Sequence, residues 1–197
     1  MRAGVQREPA AVAGAERGPA RIAVLALCLA PFLLFWKGTL GFALLAPSDA
    51  LLYFFPIRVL TARFLRAGIL PLWNPFIFSG VPYLGEIQTA VLYPFNILFL
   101  VLSPLWAMNL QVITTYSIAA VGMYAYARAA GCSVLGACLG GLTFAFNGFT
   151  MGHFAHTGVI EGAAWLPALL YCLECLRRAL RWRYVAGGAA AVAVAAR

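Results

Sequence analysis

The stretch IAVLALCLAPFLLFWKGTLGFALLA, residues 22–46, runs for roughly 25 residues with one charge, Lys37. A helix crossing a bilayer needs about 20 apolar residues. The stretch therefore reads as a first transmembrane helix. It is longer than the apolar part of a signal peptide, although the residues before it carry Arg2, Arg7, Arg17 and Arg21 and imitate the basic start of one. Residues 1–21 read as a disordered basic cytoplasmic tail. Lys37 has to snorkel, line a cavity or find a partner.

The composition outside this run agrees with it. Of 197 residues, 63% are apolar or aromatic and 10% are charged, where an ordinary soluble domain carries about 25% charged residues. This excludes a soluble globular domain and a disordered chain. The net charge of +8 does not imply a nucleic-acid partner, because the cations sit at the ends of apolar runs, where they set membrane topology. Five cysteines, Cys28, Cys132, Cys138, Cys172 and Cys175, read as small side chains packed between helices. Cys172 and Cys175 form a C-x-x-C without the strand-turn-helix setting of a redox site.

Residues 47–104 form an outer loop with seven prolines, from Pro47 to Pro104. Residues 49–70 are amphipathic. At about 100° per residue, Arg58, Arg66 and Arg63 fall at roughly 0°, 80° and 140° and share a face. Leu52, Phe55, Val59 and Leu60 fill much of the other, the pattern of a helix lying in the membrane interface. Pro56 kinks it and Pro71 to Pro75 ends it. Residues 88–103 suggest a second interfacial or re-entrant helix.

Residues 105–127 read as a clean span closed by Arg128. Residues 133–151 are the next span, and Gly136, Gly140, Gly141 and Gly148 permit close helix approach. His156 and Glu161 mark a short polar connection, and 159–176 is a further span. A basic loop from Arg177 to Arg183 follows, then an apolar run from 184 too short to cross, so that the chain is expected to be the N-terminal portion of a longer protein. With the basic clusters inside, the expectation is an all-α integral membrane protein of the bacterial cytoplasmic membrane. It is a multi-span helix bundle with interfacial helices in the first outer loop and a cytoplasmic N-terminus.

There are only six acids. Glu8 and Glu16 lie in the tail, and Glu174 should pair with Arg177 or Arg178. The others, Asp49, Glu86 and Glu161, fall on the same outer side, with both histidines, His153 and His156. Asp49 follows the first span. It either acts as a general base on an acceptor hydroxyl or caps the amphipathic helix or ties to Arg58. Glu86 and Gln88 bind substrate hydroxyls or are loop polarity. His153 and His156, three residues apart, share a ligand or a phosphate, or pack at the interface. The spacing alone assigns no metal. Arg58, Arg63 and Arg66 grip a lipid phosphate or touch headgroups without specificity. Trp73 stacks on a sugar or belongs to an aromatic belt.

The block Pro71-Leu-Trp-Asn-Pro75, followed by Gly80-Val-Pro82, Gln88 and Tyr93-Pro94-Phe-Asn96, resembles the YfhO-type family of bacterial membrane proteins. Asp49 with Tyr53 and Pro56 matches that family's pattern after its first span. Gly122-Met-Tyr124, Phe146-Asn-Gly-Phe149, His153 and Ala164-Trp-Leu-Pro167 extend the resemblance over residues 22–183. It implies a GT-C-like architecture and sugar transfer from a polyprenyl-phosphate donor to an envelope acceptor outside the membrane. The acidic residue of the first outer loop then serves at the active site, which is Asp49 here. Trp73 and Asn74 join the substrate-binding set. Membrane lipid and the lipid-linked sugar are the implied partners, with no other cofactor established and a divalent metal left open. A non-catalytic transporter or envelope-assembly factor is the alternative. Lys37, the only charge inside a clean span, counts mildly against transport.

Overall fold

The computed structural model describes residues 17–196. Of the basic tail expected over 1–21, residues 1–16 lie outside the described residues. Helix α1 (Arg17–Leu34) begins earlier than the 22–46 run and stops well before its end. A single helical turn, α2 (Trp36–Thr39), follows, and the chain is then irregular up to Asp49. The expected unbroken first span is thus divided. Pro31 lies inside α1 and has no N–H to give the helix. The groups freed beyond it are taken up elsewhere. Thr39 Oγ1 donates to Phe32 O at 2.8 Å. Asn109 accepts from Leu45 N at 2.8 Å and donates to Gly38 O and Ala43 O at 3.0 and 2.8 Å. Lys37 is exposed at this helix end, its Nζ 5.6 Å from the centre of the Trp36 ring.

The amphipathic stretch expected over 49–70 is helical as far as Arg66. A π-helical turn (Ala50–Phe54) runs into α3 (Phe55–Arg66), with Pro56 in the first turn, where its missing N–H is not needed. Pro71 to Pro82 then forms a small hairpin, β1 (Trp73–Asn74) against β2 (Val81–Pro82), with Trp73 opposite Pro82 and Asn74 opposite Val81. Gly80 adopts φ +110°, and a side chain there would meet the Trp73 indole at 2.5 Å. The second interfacial helix expected over 88–103 is broken. Two 3-10 turns (Ile87–Thr89 and Pro94–Ile97) and the short α4 (Leu98–Val101) replace it. Pro94 lacks the N–H for a continuous helix, and Asn96 turns its side-chain amide to Ala90 O.

Five further helices follow: α5 (Pro104–Ala129), α6 (Val134–Ala145), α7 (Gly148–Gly152), α8 (Thr157–Arg178) and α9 (Trp182–Ala195). Between α6 and α7 Asn147 caps the second helix by accepting from Thr150 N at 3.0 Å. Glu161, expected in a connection, lies inside α8. Helix α5 packs against α1, α6 and α8, and α9 packs on α8. At the α8 end Glu174 pairs as expected, with Arg177 at 2.8 Å and Arg178 at 2.9 Å.

The described residues are mostly helical. Two helical segments, Val134–Gly152 and Thr157–Arg178, are long and apolar enough to cross a membrane. The clean span expected over 105–127 is a full-length helix but falls outside this pair. It carries Asn109, Gln111 and Thr115, all buried against its neighbours. Leu33, Leu135, Leu139 and Leu173 point outward instead. Polar groups inside and leucines outside reverse the usual arrangement of a soluble bundle.

The short connections place Arg128 and the 177–183 cluster at one end of the bundle, and the 40–103 loop and residues 153–156 at the other. Gly141 lets α6 approach α5: a Cβ there would lie 2.6 Å from Ala120 O, whereas one at Gly140 would meet nothing. Gly141→Ala should therefore cost about 1–3 kcal/mol of stability, and Gly140→Ala should not. Equal melting temperatures in detergent for the two variants would refute this packing.

Candidate functional site

Ser48, at φ +46°, turns the chain into the π-helical turn and leaves Asp49 at its start. Asp49 makes no side-chain capping bond. Its Oδ2 lies 3.3 Å from His156 Nε2, both side chains about half exposed. His156 comes from the other expected outer segment and sits just before α8. Its backbone is fixed: its N donates to His153 O at 2.8 Å and its O accepts from Val159 N at 2.9 Å. The His153 ring centre is 5.8 Å from that of His156 and 4.4 Å from Phe149, and His153 Nδ1 donates to Phe149 O at 2.9 Å.

A cavity of about 280 Å³ opens beside the pair, lined by His156 with Phe54, Gln88, Ala90, Gly158 and Val159. Glu86 is exposed on the same loop. Burial, and secondarily the Glu86 carboxylate, push the Tyr53 phenol above its usual range. Asp49, Gln88 and His156, picked out separately in the sequence, are thus brought together, with His153 adjacent.

The three arginines of the amphipathic helix part company. Arg58 is 1% exposed. Its Nη2 donates to Glu161 Oε2 at 3.0 Å and its Nη1 to Asn96 Oδ1 at 2.9 Å. Gln111 Nε2 donates to the other Glu161 oxygen at 2.7 Å. Neither Arg58 nor Glu161 faces an outer surface, so the headgroup contact expected of Arg58 is replaced by an internal ion pair. A charge this deep persists only when paired and hydrogen-bonded. Arg66 donates to Phe99 O at 2.7 Å and Leu100 O at 3.1 Å, satisfying carbonyls of α4.

Arg63 and Arg66 are both exposed, and Arg63 lies at the edge of an apolar groove of about 630 Å³ lined by Phe55, Val59, Leu60, Phe64 and Phe76. Tyr83 pins this helix from below, sharing a 2.8 Å bond with Thr61 and donating to Ile57 O at 2.8 Å. Trp73 is half exposed on the hairpin. Asn74 is buried and accepts from Phe76 N at 3.0 Å, which makes it a turn residue in this arrangement.

Two amides, Asn109 and Gln111, escaped the sequence reading, and Asn96 entered it only as part of the Tyr93-to-Asn96 block. Their signal was present, as strong hydrogen-bonding groups inside apolar runs, but their partners lie up to 71 residues away. No group of three or more His, Cys, Asp or Glu stands together as a metal site among the described residues. All five cysteines are free thiols.

Chemically, the end of the bundle offers a carboxylate-imidazole pair at a cavity, which can take up a proton. It also offers an apolar groove with a guanidinium at its edge, which suits an amphiphilic anion. Comparison with protein-family models, curated proteins and solved structures finds no match for the chain.

Proposed function

We propose that the chain forms the working end of a GT-C-like membrane glycosyltransferase of the YfhO type. It would move a sugar from a polyprenyl-phosphate donor to an envelope acceptor at the outer face of the bacterial cytoplasmic membrane. The observation that carries this reading is the Asp49–His156 pair beside its cavity, at the same end of the molecule as the Arg63 groove. Such a transfer needs a base for the acceptor hydroxyl, a cation near the departing phosphate and an apolar surface for the lipid tail. The pair supplies the first, Arg63 the second and the groove the third. The apolar exterior and the two helices long enough to cross a bilayer fit a membrane setting.

The test is Asp49→Asn in the full-length polypeptide. Transfer of label from polyprenyl-phosphate-linked hexose should fall by about 10²–10⁴-fold, with the amount of protein in the membrane unchanged. Full activity in that variant refutes the reading. One observation favours the second reading, a transporter or envelope-assembly factor without catalysis. It is the buried Arg58–Glu161 pair, which places charge inside the bundle on a helix long enough to span. Solute uptake by proteoliposomes without sugar transfer would establish transport instead.

A further inference from the structure

The Asp49–His156 pair raises the question of which group takes the proton, and the cavity answers it. His156 lines the 280 Å³ space, whereas Asp49 is not among its lining residues. Of the two, His156 is therefore the one whose side chain borders that space. The Asp49 carboxylate is committed neither to a helix cap nor to Arg58, whose guanidinium goes to Glu161.

A carboxylate beside an imidazole gives the protonated ring an ion-pair partner. Asp49 Oδ2 lies 3.3 Å from His156 Nε2, so a proton taken up by the ring meets a carboxylate. The other side chains lining the cavity carry no charge, and Gln88 is the polar one among them. The remaining titratable neighbours are His153, its ring centre 5.8 Å away, and Glu161, one turn along α8 and engaged with Arg58.

We infer that His156, oriented by Asp49, is the base that takes the acceptor's proton. This rests on the glycosyltransferase reading and assigns the proton within the same site. In the step, the acceptor O–H breaks and its proton goes to the His156 imidazole. The acceptor oxygen bonds to the anomeric carbon of the sugar. The bond from that carbon to the phosphate oxygen breaks, and its electron pair leaves on the polyprenyl phosphate. Asp49, 3.3 Å from the ring, pairs with the resulting imidazolium as a positioning residue. His153, tied through Nδ1 to Phe149 O, takes no part in the transfer.

The experiment uses the full-length polypeptide in membranes charged with polyprenyl phosphate carrying radiolabelled hexose. It reads label entering lipid-free envelope material. His156→Ala should lower kcat by about 100-fold and leave KM for the donor within about twofold. Added imidazole should fill the space and recover at least about tenfold of the lost rate. His156→Gln, which keeps a polar side chain beside Asp49 but offers no basic nitrogen, should be as slow as His156→Ala while its unfolding midpoint is unchanged.

A His156→Ala variant within fivefold of the normal rate, or a loss that imidazole does not reverse, overturns the inference. So does an active His156→Gln. If transfer survives these changes but not Asp49→Asn, the glycosyltransferase reading stands and Asp49 is itself the base. If the unsubstituted protein transfers no sugar, both readings fall.

Discussion

Glu161→Ala is expected to destabilise the protein by about 3–5 kcal/mol, the usual cost of stranding one member of a buried ion pair. The Arg58 guanidinium would remain in a site that is 1% exposed, with Asn96, the Thr89 and Ala90 carbonyls and the Tyr93 ring among its remaining neighbours. Gln111 would lose its 2.7 Å acceptor as well. Replacing both charged residues, as Arg58→Met with Glu161→Leu, should cost far less than the sum of the single changes. It removes the stranded charge with its partner. Unfolding midpoints in detergent give all the values. An unchanged midpoint for Glu161→Ala, or strict additivity in the double variant, would show that the pair is not the clamp described here. The expectation matters for the site because this pair ties α3 to α8, and Asp49 and His156 approach each other from the starts of those same two helical segments.

The second large effect is expected at Asn109→Leu. Its amide serves three backbone groups of the broken segment after α1: Leu45 N, Gly38 O and Ala43 O. Each stranded backbone group costs about 1–3 kcal/mol, and Asn109 is 1% exposed, so water does not readily replace the lost partner. A loss of about 3 kcal/mol or more follows, with the Leu45 amide exchanging its hydrogen far faster than before. Wild-type stability and unchanged exchange at Leu45 would refute the role. The neighbouring Thr114 offers a contrast, since its hydroxyl bonds only to Leu110 O and Gln111 O of its own helix.

Asn109 also shows why the end of the first helix could not be read from its own residues. The apolar run continues to Ala46, and Pro31, the one local breaker, lies inside the helix rather than at its stop at Leu34. The stop is tolerated because an amide 64 residues away from Leu45 repairs the backbone. Arg58 is a similar case. Helical spacing placed it correctly on one side of α3 with Arg63 and Arg66, but such a side spans more than a third of the circumference. Only one edge of it meets Glu161. Spacing within one helix cannot say which edge another helix will cover.

The hairpin was legible only as a stop, because strands of two residues are too short to show a two-residue alternation. The helices themselves were legible, since apolar runs between basic clusters leave few alternatives. So was the gathering of Asp49, Gln88 and His156 at one end, because charge sorting along the chain foretold which segments share an end. Their contact was not, since it depends on how α3 docks on α8.

The π-helical turn between Asp49 and α3 has a consequence of its own. A turn of this kind holds one residue more than an α-helical turn, so it works as an insertion within a helix. It offsets everything before it by about 100° around the axis relative to an uninterrupted α-helix. Asp49 meets His156 with this offset in place, on a helix whose other end is fixed by Arg58 and Tyr83. The number of residues between Asp49 and Pro56 is therefore a phase setting for the carboxylate. Loss of a single residue there would leave every functional side chain in the sequence and still aim Asp49 elsewhere, while a change of length beyond Arg66, past the end of α3, would leave its bearing alone.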